Sequence, residues 1–344
     1  MVTDRNLNRE RSAAMAKVAI NGMGRIGRAA LKIILDKPEL DLVAVNDLMA
    51  LDNLVYLLNY DTVYGRYKHR VQMAGNALEV AGKTIKFLSV KDPAQLPWKD
   101  LGVEIVFECT GLFTQSEGLG KHIAAGAKYA ILSAPPKGAD VCCIVHGVTQ
   151  PGEADRAISC ASCTTNCITP VVEIMGRRVG IKKAAMTTIH AYTSSQAIVD
   201  GPSKKFRRGR AGAANLVPTS TGAAVATTNV LPQYQGKFDG TAVRCPVPSG
   251  SLADLVFVTE RPTSVEEINR IFKEEAQGRY QGILEYCEDE IVSSDIIGNP
   301  HASIFDPSMT KVIDGDLVKV MSWYDNEWGY TNQMIREALR LARG

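Results

Sequence analysis

Cys163 stands in the run Ala161-Ser162-Cys163-Thr164-Thr165-Asn166-Cys167, where a helix is expected over 164–179. A thiol at a helix start faces unpaired N–H groups and the positive end of the macrodipole, which favour the thiolate. His190 ends an apolar, Thr-rich strand expected over 183–191. An imidazole beside the thiol would raise the thiolate fraction and then act as base and acid in later steps. Together they are equipment for a cysteine nucleophile. Taken singly, each assignment is weak. Seven further cysteines are present, Cys109, Cys142, Cys143, Cys160, Cys167, Cys245 and Cys287, and most cysteines are small buried hydrophobes. A histidine at a strand end is more often a satisfied core group. Cys167, one turn beyond Cys163, is expected to pack inside.

A second constellation lies near the start. Asn21-Gly22-Met23-Gly24-Arg25-Ile26-Gly27 holds G-x-G-x-x-G between an apolar run and a helical stretch. Gly22 permits the tight turn, Gly24 lets backbone approach a pyrophosphate, and Gly27 lets helix and strand pack closely. The pyrophosphate would rest on the helix N-terminus. Asp47 follows Gly27 by twenty residues, where an acid accepts hydrogen bonds from the adenosine ribose. A carboxylate there repels a 2′-phosphate, so NAD is preferred over NADP. The bland alternatives are a helix-capping turn and an Asn-Asp turn.

A third group is rich in anion donors: Thr193, Arg208, Thr221, Gly222 and Arg244. Hydroxyls, a backbone N–H and two guanidiniums suit phosphate monoesters and inorganic phosphate. The competing readings are a solvated basic loop for Arg207-Arg208-Gly209-Arg210 and a helix cap for Thr219-Ser220-Thr221-Gly222. Composition alone does not choose between them.

These groups need elements to hold them. From residue 17 to about 162, short apolar runs alternate with helical stretches, which argues a parallel sheet with helices on both faces. Residues 69–88 read as a small antiparallel insertion. From 163 the texture changes: a helix, a Thr-rich strand, an aperiodic segment over 192–218, further strands, a helix over 265–277 and an amphipathic helix over 327–342. A segment as long as 192–218 without periodicity is usually functional. The fold class expected is α/β, a Rossmann-type parallel-sheet domain plus an α+β catalytic domain with a mixed or antiparallel sheet. The first domain is expected over 15–162, completed by a C-terminal helix over 325–344. The catalytic domain is expected over 163–324, and residues 1–14 form an N-terminal extension with no assigned function.

Composition bounds the rest. The chain has 344 residues with 45% hydrophobic and 22% charged residues, and a formal net charge of +2. That length suits two domains, and that charge implies no nucleic-acid, membrane or acidic partner. The cysteines read as reduced thiols. Cys160-x-x-Cys163 has no second pair and no clustered His, so no metal is expected. No secretory signal and no apolar run of about 18 residues is visible; a cytoplasmic protein is expected.

Four blocks together resemble glyceraldehyde-3-phosphate dehydrogenases: Ile20-Asn21-Gly22-x-Gly24-Arg25-Ile26-Gly27-Arg28, Ala161 to Cys167, Thr219-x-Thr221-Gly222-Ala223-Ala224 and Trp323-Tyr324-Asp325-Asn326-Glu327. The resemblance runs from Lys17 to near the C-terminus. It implies NAD-dependent oxidative phosphorylation of glyceraldehyde 3-phosphate to 1,3-bisphosphoglycerate, through a hemithioacetal and a thioester on Cys163, with His190 shuttling the proton. It places the Cys163 N–H and its neighbours, Ser162 and Thr164, around the substrate and the oxyanion. It gives Thr193 and Arg244 to the substrate phosphate, and Arg208, Thr221 and Gly222 to the attacking phosphate. Arg25, Ile26, Asp47, Lys91, Ser133 and Asn326 match cofactor contacts. A homotetramer is implied, with residues 192–217 at a subunit contact. The sequence departs from the family at Lys91, often Arg, at Val225, usually Lys, at Cys160, commonly Asn, and at Gly201 before Pro202. The nearest alternative is an erythrose-4-phosphate dehydrogenase, which usually lacks the Thr221-Gly222-Ala223-Ala224 pattern. A nucleic-acid or surface-binding role has only the basic loop 204–210 to motivate it.

Overall fold

The computed structural model describes residues 15–138 and 140–343. The expected extension over 1–14 lies outside the described residues. The strand Ala16–Asn21 runs through the middle of a nine-stranded sheet, in parallel between Leu40–Asn46 and Ile105–Glu108. Its Val18, Ala19 and Ile20 are fully buried, as expected for a strand covered on both faces. Tyr129–Leu132, Ala157–Ser159 and Cys142–Cys143 extend the sheet on one side, all in parallel. Helices α1 (Arg25–Ile34), α2 (Leu51–Asn59), α3 (Trp98–Leu101) and α4 (Ser116–Ala124) connect the strands.

The insertion expected over 69–88 is antiparallel within itself and joins the main sheet in parallel. Lys83–Leu88 pairs in parallel with Leu40–Asn46, while Ala77–Val80 and Gln72–Met73 add to it antiparallel. The segment is therefore the antiparallel edge of the main sheet. The turn at Gly82 hides this from the sequence, because it returns the chain onto a strand forty residues away.

The second sheet has seven strands, ordered Val217–Ser220, Phe238–Cys245, Ile181–Ala191, Ser251–Thr259, Leu317–Tyr324, Ser303–Ile313 and Leu284–Tyr286. It is mixed: Ile181–Ala191 runs parallel to Phe238–Cys245 and antiparallel to Ser251–Thr259. Alternate residues of Ser251–Thr259 are buried, so one face carries the second core. Helices α5 (Cys163–Arg178), α6 (Ala223–Val230) and α7 (Val265–Gln277) contribute to that core. Helix α8 (Trp328–Arg343) goes elsewhere. Its Tyr330, Met334, Ile335 and Ala338 belong to the first core, so the chain ends by returning to the sheet where it began. No helix among the described residues is long and apolar enough to cross a membrane.

Candidate active site

The glycine loop leaves the strand Ala16–Asn21 and enters α1. Gly22 has φ +97°, and a Cβ there would lie 2.6 Å from the Thr110 nitrogen. A Cβ at Gly27 would lie 1.9 Å from the Gly22 carbonyl oxygen. Both glycines are therefore demanded by the chain's own packing. Gly24 differs: a Cβ there would meet nothing within 4 Å among the described residues. Its smallness serves no contact within the protein, which fits close approach of a ligand. Helix α1 has no side-chain cap at Gly24 and no acid in its first turn, so its N–H groups and dipole favour an anion.

These groups open onto a cleft of about 650 Å³ lined by Gly22, Gly24, Asp47, Lys91, Cys109 and Thr110 among others. Asp47 accepts hydrogen bonds from the Met23 and Met49 N–H groups at 2.6 and 2.9 Å. It thus fixes the glycine loop as well as facing the cleft. Below it lies a buried polar chain. Trp98 Nε1 donates to His122 Nδ1, His122 Nε2 meets Glu108, and Asn21 Nδ2 donates to the same Glu108 oxygen. Glu108 also accepts from the Thr110 N–H at 2.8 Å. Loop, anion site and carboxylate fit a dinucleotide. The Arg25 side chain is spent elsewhere, on Glu327 and Asp61. Neither Arg25 nor Ile26 lines the cleft, and the Ile26 side chain packs against the first core. Ser133 donates its N–H to the Glu108 carbonyl at 3.0 Å. The Asn326 Oδ1 accepts from Gly250 N and Ser251 Oγ.

Cys163 is the first residue of α5, and the Ser162 hydroxyl caps the helix by accepting from Thr165 N at 3.1 Å. The chain reaches this point through Ala161 at φ +55°, a left-handed conformation that a non-glycine residue rarely holds. Asn166 Nδ2 clamps the turn by donating to the Cys160 and Ser162 carbonyls. Cys163 Sγ lies 3.4 Å from His190 Nε2. His190 Nδ1 lies 2.7 Å from both the Ala191 carbonyl oxygen and Arg244 Nη1; in the tautomer that donates Nδ1–H to the carbonyl, Nε2 is free to accept the thiol proton. Arg244 faces His190 across the parallel strand pair, and its Nη1 donates to the same Ala191 oxygen at 2.8 Å.

Burial pushes the Cys163 thiol up, and the Arg244 charge and the helix-start N–H groups only oppose that rise. Burial, then the Arg244 charge, pushes His190 down to about 3. Burial in the ligand-free chain thus works against both charged forms, and the Sγ–Nε2 contact gives the thiol proton a path to the imidazole. Cys167 is fully buried near Ser303 and Ser322, and burial pushes its thiol up to about 12.

The other predicted residues are placed as follows. Arg244 Nε is buried with no hydrogen-bond partner among the described residues. Arg208 Nε donates to Thr219 Oγ1 at 3.0 Å, and its charge is felt at His190. Thr221 Oγ1 accepts from Ala223 N, and Gly222 precedes α6 with no side-chain cap. Thr193 hydrogen-bonds Ser195. The Thr164 hydroxyl is committed to Tyr324 at 2.8 Å.

A family model described as the glyceraldehyde 3-phosphate dehydrogenase NAD binding domain matches residues 16–116, and one described as the C-terminal domain of the same enzyme matches residues 162–326. The chain belongs to the glyceraldehyde-3-phosphate dehydrogenase family. It is 50% identical over 325 residues to the glyceraldehyde-3-phosphate dehydrogenase of Streptomyces coelicolor, covering 93% of this chain and 96% of that one. It is 47% identical over 331 residues to glyceraldehyde-3-phosphate dehydrogenase 1 of Bacillus subtilis, covering 95% and 98%. NAD is the cofactor of this family member.

Within the family site, sequence reasoning passed over Tyr324. Its hydroxyl bridges Thr164 and Thr188, and its ring stands edge-on to His190 at 5.9 Å. It also missed Asp325, which accepts from Tyr64, Gly298 N and Trp328 N. Both lie in the Trp323–Glu327 block, whose five-residue concentration of polar and aromatic groups was the available signal.

Proposed function

We propose that the chain oxidises D-glyceraldehyde 3-phosphate and phosphorylates the product to 1,3-bisphosphoglycerate, with NAD reduced. The observation that carries the chemistry is the 3.4 Å contact between Cys163 Sγ at a helix start and His190 Nε2. Sγ bonds to the aldehyde carbon as Nε2 takes the thiol proton and passes it to the new alkoxide, giving a hemithioacetal. The Cys163 N–H stabilises the oxyanion on the way. NAD, when bound, supplies the acceptor for the hydride on that carbon. His190 takes the hydroxyl proton in that step, leaving a thioester and an imidazolium. Phosphate then attacks the thioester carbon, the C–S bond breaks, and His190 returns its proton to the departing thiolate. The phosphate's own proton leaves to water.

Arg244 and Thr193 hold the substrate phosphate, and Arg208, Thr221 and Gly222 hold the attacking phosphate. The unpartnered Nε of Arg244 supports that role, since a buried guanidinium donor without an acceptor costs free energy until an anion meets it. Ser162 sets the helix cap and Thr164 the Tyr324 contact, so both act by positioning Cys163. Gly22, Gly24, Arg25, Ile26, Gly27, Asp47, Lys91, Ser133 and Asn326 form the NAD site, Arg25 and Ile26 through backbone. Residues 15–162 with 325–344 make the nucleotide domain and 163–324 the catalytic domain. The protein works in the cytoplasm as a homotetramer. The segment 192–217 supports self-association, because Ile198 and Phe206 are each 89% exposed and Val199 and Leu216 are also exposed; such apolar surface marks contacts.

Steady-state assays with and without inorganic phosphate test the reading. Phosphate-dependent turnover of glyceraldehyde 3-phosphate is expected. Equal rates without phosphate, or preference for erythrose 4-phosphate, would reject it.

A further inference from the structure

The C-terminal half of α8 carries Arg336, Leu339, Arg340 and Arg343, spaced to share one helical face. With His146 they line a cleft of about 430 Å³. Three guanidiniums meet there with too few counter-charges. Arg343 reaches Glu39 only at 3.5 Å, with its side chain largely exposed. Arg340 Nε meets the buried Glu337 at 2.8 Å, and Glu337 is shared with His146. The other arm of Arg340, Nη2, is buried with no hydrogen-bond partner among the described residues. Arg336 makes no ion pair or hydrogen bond among the described residues, although burial strips its hydration and pushes its pKa down.

Cations near a helix C-terminus are favourable with the dipole. That accounts for Arg340 and Arg343 but not for Arg336, two turns before the end of the helix. Clustered like charges that keep unpaired, desolvated donors are costly unless an anion joins them. Guanidinium forks match phosphate and carboxylate oxygens in particular. Leu339 is the one apolar side chain in the lining, so an aromatic or acyl group finds no wall.

We infer that this cleft binds a small, multiply charged oxyanion, a phosphate- or carboxylate-bearing metabolite, at a site separate from Cys163. The separation is structural. The cleft is built from α8 and the His146 loop, whereas the phosphate donors of the catalytic site come from the second sheet and residues 193–222.

The test is calorimetric titration of the full chain at fixed ionic strength, with pyrophosphate and, separately, citrate as probes. Wild type is compared with Arg336→Gln and with Arg336→Gln/Arg340→Gln. The inference expects saturable binding of at least one probe, weakened about tenfold or more in the double variant and by a smaller factor in the single one. Steady-state KM values for aldehyde and phosphate stay unchanged in both. Binding of pyrophosphate alone supports a phosphate ligand, citrate alone a carboxylate, and both a general oxyanion site. Affinity unchanged in the variants, a raised KM for phosphate, or no saturable binding below about 10 mM would overturn it.

Discussion

Cys163 and Cys167 sit one helical turn apart on α5, and only one of them can be a nucleophile. Cys167 is walled in beside Ser303 and Ser322, while Cys163 meets an imidazole. Replacing His190 with Asn should slow acylation by about 10²–10⁴-fold, and also slow iodoacetamide alkylation of Cys163; unchanged alkylation kinetics would show that His190 does not activate the thiol. Arg244→Ala should raise KM for the phosphorylated aldehyde by about 10–100-fold, the worth of one charged hydrogen bond, which initial-rate measurements read directly. His190 also links stability to pH. Its folded pKa of about 3 lies below the unfolded value near 6.5. The unfolded chain therefore binds the extra proton between those values. Stability is full above about 6.5 and falls as pH drops toward 3. Denaturant midpoints at pH 7 and pH 4.5 should differ less in His190→Asn than in wild type. The pairing of Cys163 with His190 was legible in the sequence from residue type and element ends. The direction of the thiol shift was not, because burial depends on the whole second core. Nor was the closeness of Arg244 to His190, which rests on a parallel register across 54 residues of chain.

The glycine loop makes the clearest contrast between elements. Gly27→Ala would drive a methyl into the Gly22 carbonyl, so thermal melting should show a large loss of stability. Gly24→Ala meets no protein atom; it should keep its melting temperature and lose affinity for NAD, read by fluorescence titration. Equal effects in both assays would mean that Gly24 is a packing residue. At α5, Ser162→Ala should cost about 1 kcal/mol through the lost cap. The helix starts of α1, α5 and α7 were readable because glycine, serine and apolar periodicity mark them locally. The antiparallel pairing over 72–88 was legible, but its attachment to Leu40–Asn46 was not. Periodicity shows that a strand exists but does not show its partner.

Over the whole molecule, the return of α8 to the first core ties the two domains. Arg25 at the start of α1 holds Glu327 just before α8, and Asp61 from the strand Tyr60–Asp61. The amphipathic pattern of the last helix was visible in sequence, but its destination was known only through resemblance, since no local signal says which sheet an amphipathic helix covers. The exposed apolar residues of 192–217 lead to a prediction at this scale. Phe206→Asp should shift sedimentation from the proposed tetramer toward smaller species, and an unchanged profile would place the contact elsewhere.

A covalent acyl intermediate on Cys163 is the step from which the rest of the chemistry follows, and intact-protein mass spectrometry with peptide mapping detects it. The protein is mixed with glyceraldehyde 3-phosphate and NAD without phosphate. A phosphoglyceroyl adduct on the Cys163 peptide is expected, discharged on adding phosphate and absent from Cys163→Ala. Turnover retained by Cys163→Ala, or an adduct on another residue, would contradict the mechanism.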